Sequence, residues 1–214
     1  MQVALVGAGA LGSPLAWALV RLPAVTRLTV VDGDRVALSN LPRQPWYGPD
    51  DLGRPKAALL AERVAAAGGP AVEARIEMVT AANAGRLLAD AELVVDGSDN
   101  WAARRTIEAF AAARGIPWIY AAALGWDGLT AWMAPDGPCL RCWFGEPGGD
   151  GPRCFEAGAV GAVTLAVAGV AVAELERRLA GEDPPPRLWL VDGRRGRVTA
   201  LGGPPAPCPH RRPA

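Results

Sequence analysis

Gln2-Val3-Ala4-Leu5-Val6 runs directly into Gly7-Ala8-Gly9-Ala10-Leu11-Gly12, and apolar residues then recur at Leu15, Leu19 and Leu22. The first five residues read as a short strand. The later spacing is that of a helix face, so a glycine-rich turn joins strand to helix. Glycines permit a tight turn and close approach of backbone to a ligand, while a helix N-terminus favours an anion. A second strand, Arg27 to Val31, ends in Asp32. That acid lies about 20 residues beyond the last glycine, where a carboxylate can accept hydrogen bonds from a ribose. Nucleotide binding is the reading of this pattern; the plainer alternative is a tight turn in an α/β core.

The loop after the second strand narrows the chemistry. Asp32-Gly33-Asp34-Arg35-Val36 leads to Ser39-Asn40-Leu41-Pro42-Arg43-Gln44, then to Asp51-Leu52-Gly53 and Lys56-Ala57. A dinucleotide dehydrogenase has no use for Asn40, Arg43 and Lys56 here, whereas an enzyme handling a triphosphate does. Arginine offers a planar fork to phosphate oxygens and lysine a compact charge. Both can stabilise charge developing on phosphate.

A chain of 214 residues, half of them hydrophobic, suits one domain with a sizeable core. Acidic and basic residues balance at 22 each, so there is no basic surplus for nucleic acid. Met1 leads straight into the first strand without a leader pattern, and a cytoplasmic location is expected.

Further on, helices are expected over Lys56 to Ala67, Ala81 to Leu88 and Trp101 to Arg114, the last closed by Gly115 with Pro117 beyond. Strands are expected at Ala71 to Ile76, Leu93 to Asp96 and Trp118 to Ala122. Their alternation predicts a doubly wound sheet. After about Leu124 the pattern changes: Leu129 to Met133 and Leu188 to Val191 read as strands of a mixed or antiparallel extension. Residues 1–123 are therefore expected to form a nucleotide-binding core and residues 124–214 an extension. Ala157 to Ala173 is uncharged and rich in small residues, but Glu174, Glu176, Arg177 and Arg178 continue it in helical register. A buried or interface helix is expected there, not a membrane span.

Asp96-Gly97-Ser98-Asp99-Asn100 sits at the C-terminal end of a strand, the edge where open α/β sheets bind ligands. Asp99 is a candidate magnesium ligand bridging to ATP phosphates; alternatively Asp99 or Asn100 caps the next helix. Cys139 and Cys142 form a C-x-x-C pair, which reads as a zinc half-site or a redox pair. A zinc site needs two further ligands, and Cys208 and His210, the only histidine, stand near the end of the chain. Cys154 reads as a small packing residue, although Arg153 beside it could favour a thiolate.

Taken together, Gly-x-Gly-x-x-Gly, Asp-x-Asp-x-Val, Ser-Asn-Leu-x-Arg-Gln and Gly-x-x-Lys-Ala resemble the ThiF/HesA/MoeB family of adenylating enzymes, related to ubiquitin activation. The resemblance runs from Val3 to about Cys208. It implies a Rossmann-like α/β fold with a mostly parallel sheet. ATP would lie over Gly7, Gly9 and Gly12 with its ribose on Asp32; Asn40, Arg43 and Lys56 would grip the phosphates; Asp99, followed by Asn100 and Arg104, would hold magnesium. It also implies a homodimer and a partner, a small ubiquitin-like sulfur carrier ending in Gly-Gly, whose C-terminal carboxylate is adenylated for thiamine- or molybdopterin-type biosynthesis. The family's cysteine at the place of Cys154 can link covalently to the carrier.

Two features depart from the family. Its second zinc half-site is C-x-x-C, but the third residue after Cys208 is Arg211, so His210 is expected to substitute as zinc ligand; the alternatives are a degenerate metal-free site or a fourth ligand from elsewhere. The family's N-terminal helix, with an arginine that reaches the partner's ATP, has no counterpart here. The competing readings are a carrier-binding subunit without catalysis and an NAD-dependent oxidoreductase; the second leaves Asn40, Arg43, Lys56 and the cysteine pair idle.

Overall fold

The computed structural model describes residues 1–145, 158–204 and 208–210. Its strands are β1 (Gln2–Val6), β2 (Arg27–Val31), β3 (Ala71–Arg75), β4 (Leu93–Asp96), β5 (Trp118–Leu124), β6 (Asp127–Met133), β7 (Arg187–Asp192) and β8 (Arg197–Gly202). Its α-helices are α1 (Gly12–Leu19), α2 (Lys56–Ala66), α3 (Ala84–Leu87), α4 (Trp101–Arg114), α5 (Leu140–Phe144) and α6 (Gly161–Leu179). Two short 3₁₀ turns, Leu38–Arg43 and Pro49–Asp51, occupy the loop between β2 and α2.

All eight strands join one sheet in the order β3-β2-β1-β4-β5-β6-β7-β8. The pairs from β3 to β5 are parallel, and those from β5 to β8 are antiparallel. The parallel half is covered on both sides, which is why its strands read as unbroken apolar runs. Val3, Leu5, Leu28, Val30, Val95 and Ile119 face one core with Leu15 and Leu19 of α1, Leu60 and Val64 of α2, and Val167 and Leu175 of α6. Ala4, Val6, Val31, Val94, Trp118 and Tyr120 face a second core with Leu87 of α3, Ile107 and Ala111 of α4, and Leu140 of α5. A strand's period of two sends each neighbour to the opposite core.

The strand order reverses between β1 and β4. β1 continues to β2 on one side, while the chain returns to lay β4 on the other. The loops following β1, β2 and β4 therefore meet at one sheet edge, the switch point where α/β sheets bind ligands.

Several elements differ from the sequence-based expectation. The helix expected over Ala81 to Leu88 is confined to Ala84–Leu87. Asn83 turns its side chain back, accepting from the Thr80 N–H at 2.7 Å and donating to the Met78 carbonyl at 3.0 Å, and so closes a loop before it. β5 runs on to Leu124, because the antiparallel partner β6 extends its ladder to Asp127. β8 was not foreseen; it is exposed at every position but Thr199, so no face carries an apolar pattern. Among the described residues no helix is long and apolar enough to cross a membrane. In α6 the apolar face of Val163, Val167, Ala171 and Leu175 is buried.

Candidate functional site

The turn after β1 is tied down before any ligand is considered. Gly7 has φ +94°, and a Cβ there would stand 2.6 Å from the Gly97 carbonyl oxygen. A Cβ on Gly12 would stand 1.9 Å from the Gly7 oxygen. Only glycine lets the turn close on itself and on the loop after β4. No side chain caps the first turn of α1.

Asp32, at the end of β2, braces this turn. One carboxylate oxygen accepts the Ala8 N–H at 2.6 Å and the other the Asp34 N–H at 2.7 Å. Burial pushes its carboxyl above the usual range, with the two backbone donors and the Lys56 charge pulling the other way.

Lys56 is the first residue of α2. Its side chain is 7% exposed, and Nζ lies 3.1 Å from Asp34, whose own side chain is 61% exposed. Asn40 is buried in the first 3₁₀ turn, where its carboxamide oxygen accepts the Ala37 N–H at 3.1 Å. Arg43 ends that turn and donates to the Ser39 carbonyl at 2.6 Å.

The loop after β4 supplies the opposite wall. Asp96 is fully buried; it accepts from Ser98 N–H at 2.9 Å, Ser98 Oγ at 2.5 Å and Arg104 Nε at 3.3 Å. Burial raises its carboxyl, and Arg104 is foremost among the groups opposing that shift. The Arg104 guanidinium also lies 5.4 Å from the Trp101 ring centre and 5.1 Å from that of Tyr120. Asn100 is the N-cap of α4 and accepts the Ala103 N–H at 2.8 Å. With Asn100 in that role, Asp99 is left exposed at the cleft and pairs with no cation among the described residues.

Gly7, Gly9, Asp32, Asn40, Arg43, Lys56 and Asp99 all line one cleft of about 200 Å³ that opens to solvent. Gly12, buried at the start of α1, is not among the lining residues but packs against Gly7, which is. Asp34, Gln44, Asn100 and Arg104 share the lining. The cleft combines a glycine turn, three cations (Arg43, Lys56 and Arg104) and the exposed carboxylate of Asp99, which pairs with no cation among the described residues. That arrangement can hold a polyphosphate and a divalent cation.

Sequence reading assigned no role to Gln44 or Tyr47. Gln44 is buried, and its carboxamide oxygen has no partner among the described residues. Tyr47 donates its hydroxyl proton to the Ala8 carbonyl at 2.6 Å. The Arg-Gln step after Leu41 was a signal for the first; nothing local marks the second.

Away from the cleft, the Cys139, Cys142 and Cys208 sulfurs and a ring nitrogen of His210 lie within 4.8 Å of one another. Sulfur pairs stand 3.6 and 3.5 Å apart, and His210 Nδ1 is 3.4 and 3.3 Å from Cys139 and Cys142. Tetrahedral zinc, with bonds of about 2.3 Å to sulfur and about 2.0 Å to nitrogen, has edges of about 3.8 and 3.5 Å. The four donors therefore fit such an ion and leave no open position. The Leu140 N–H donates to Glu108 at 2.7 Å, which ties this corner to α4. Cys154 lies outside the described residues.

The chain is similar to known proteins. The ThiF family model matches residues 1–209. The sulfur carrier protein adenylyltransferase of Thermus thermophilus is 38% identical over 86% of this chain and 71% of its own length. The sulfur carrier protein ThiS adenylyltransferases of Bacillus subtilis and Escherichia coli are 35% and 32% identical, covering 89% and 94% of this chain and 58% and 81% of their own lengths. Among solved structures, Escherichia coli MccB with ATP superposes with a TM-score of 0.78 at 13% identity, over 96% of this chain and 64% of that one. PaaA gives 0.71 at 21%, over 94% and 63%. The structural likenesses speak for the fold.

Proposed function

The chain belongs to the ThiF family, and from that premise we propose that it is an ATP-dependent adenylyltransferase acting on a small ubiquitin-like sulfur carrier protein. The observation that carries the reading is the convergence of the glycine turn, Asn40, Arg43, Lys56 and Asp99 on one cleft.

In this reading ATP lies over Gly7 to Gly12 with its ribose toward Asp32. Arg43 and Lys56 neutralise phosphate charge, Asn40 holds the loop that presents Arg43, and Asp99 holds magnesium. The carrier's C-terminal glycine carboxylate attacks the α-phosphorus. The bond from that phosphorus to the bridging oxygen breaks, pyrophosphate leaves with the electron pair, and an acyl-adenylate remains. A carboxylate is already ionised at neutral pH, so no general base is required. Catalysis consists of positioning and charge neutralisation. The acyl-adenylate then serves sulfur transfer, in biosynthesis of the thiamine or molybdopterin kind. Cys154 is retained as a candidate for a covalent link to the carrier.

The thiol and imidazole cluster is assigned to structural zinc, with His210 as fourth ligand. It would pin residues 208–210 to the start of α5. A homodimer is also proposed, supported by the outer side of α6, where Ala162, Leu165, Gly169 and Ala173 are exposed. We place the reaction in the cytoplasm, which supplies ATP and keeps thiols reduced.

The test is magnesium-dependent ATP–pyrophosphate exchange with carriers ending in Gly-Gly. Carrier-dependent exchange is expected. A carrier that binds without supporting any exchange would turn the reading into that of a docking subunit.

A further inference from the structure

Tyr47 lies between the two phosphate-facing elements without lining the cleft. Its hydroxyl is 2.6 Å from the Ala8 carbonyl oxygen in the glycine turn and 3.4 Å from the Lys56 carbonyl oxygen at the head of α2. Ala8 is held from both sides, since its N–H donates to Asp32 at 2.6 Å. Ser13 Oγ is the other donor near the Ala8 oxygen, at 3.1 Å, but its single proton is shared with the Gly9 oxygen at 2.9 Å.

The tyrosine is itself held. It is 5% exposed and packed with Val36 and Leu59. Arg63 of α2 places its guanidinium 5.4 Å from the ring centre and bonds to the Trp46 carbonyl and, at 2.5 Å, to Asp51. The ring is thus fixed to the helix whose first residue is Lys56.

We propose that Tyr47 is a positioning residue for ATP: its hydroxyl holds the Ala8 carbonyl, and with it the turn, in register with Lys56. The proposal rests on the adenylation reading above. The turn binds phosphate through backbone amides, and their directions follow the peptide planes on either side of Ala8. With the hydroxyl gone, the shared Ser13 proton is the one remaining restraint on that carbonyl among the described residues. Binding must then order the turn, and affinity drops accordingly. Burial pushes the phenol up to about 12, so the hydroxyl keeps its proton across the working pH range.

The test is Tyr47→Phe in the full chain, which keeps the ring and its contact with Arg63. Two readouts are taken well below the melting temperature: calorimetric binding of ATP–magnesium, and pyrophosphate exchange with a carrier that supports it. One neutral hydrogen bond corresponds to a loss of about fivefold in ATP affinity. The KM for ATP should rise by about the same factor, while kcat at saturating ATP stays within about twofold. A purely structural tyrosine would lower thermal stability and leave that split unmoved. Tyr47→Phe binding ATP within twofold of the parent overturns the proposal, as does a loss of kcat at saturating ATP without a change in KM. A parent chain that fails to bind ATP would overturn the adenylation reading and this proposal with it.

Discussion

Replacing Lys56 by methionine separates catalysis from stability. The aliphatic stem is kept, and so is the backbone bond from Lys56 N–H to the Asp34 carbonyl at 2.9 Å. The lost ion pair costs folding little. Asp34 is 61% exposed and hydrates once its partner is gone, so the change should stay under about 1 kcal/mol. The cost to the reaction is different in scale. A lysine charge about 4 Å from phosphate, at an effective dielectric of about 20, contributes roughly 4 kcal/mol. Every 1.4 kcal/mol or so is tenfold in rate, so the ceiling is about a thousandfold. Asp34 screens part of it, and the expected fall in kcat/KM is about a hundredfold to a thousandfold. The assay is carrier-dependent pyrophosphate exchange, with a melting curve beside it. Arg54→Met serves as the control: it carries the same charge change two residues away, on a guanidinium bonded to Glu62 at 2.8 and 3.0 Å on the surface, and should alter exchange less than about twofold. Lys56→Met exchange within tenfold of the parent, with folding intact, would refute the assignment of Lys56 to the phosphates.

Three further outcomes follow from other parts of the structure. Asp96→Asn should cost about 3 kcal/mol or more in chemical denaturation, because it removes a fully buried carboxylate that sits 3.3 Å from Arg104 Nε. Asp51 is desolvated, but the Gly48 N–H and Arg63 outweigh that and hold its carboxyl below the ordinary 3.8. A lowered carboxyl contributes stability above the unfolded-state value and loses it as pH falls through the folded-state value. Asp51→Asn should therefore destabilise by about 2 kcal/mol at pH 7, and the gap should close in melts below pH 4. The purified chain should contain one zinc per molecule by elemental analysis. His210→Ala should weaken zinc retention against a chelator and lower the melting temperature, and a zinc-free native protein would dispose of the site.

The legible parts of the fold were those whose signals are local. Helix α4 was placed to the residue because Asn100 and Gly115 mark its two ends, the first as N-cap and the second in the left-handed region at φ +63°. The glycine turn and Asp32 could be placed together because the residues between them form one compact unit. Sequence left the cap role undivided between Asp99 and Asn100, since both stand before the helix; only the backbone path assigns it to Asn100. Tyr47 escaped notice because its partner, Ala8, is 39 positions away in the chain. β8 escaped because an exposed edge strand lacks the alternation that pairing with a core would impose. His210 drew attention because the chain holds no other histidine, and the structure brings its Nδ1 to 3.4 and 3.3 Å from Cys139 and Cys142.

The strand order also sets a ranking of local opening. β1 and β4 are flanked by strands on both sides and by helices above and below, so their amides exchange with solvent only through the largest unfolding events. β8 has one neighbour and two wet faces, and its backbone can detach by breaking a single ladder. Because the cleft grows from the ends of β1, β2 and β4, fraying at the far edge leaves the cleft intact. The molecule can loosen along one margin while the cleft keeps its shape, and exchange protection graded by strand position is the expected imprint of that division.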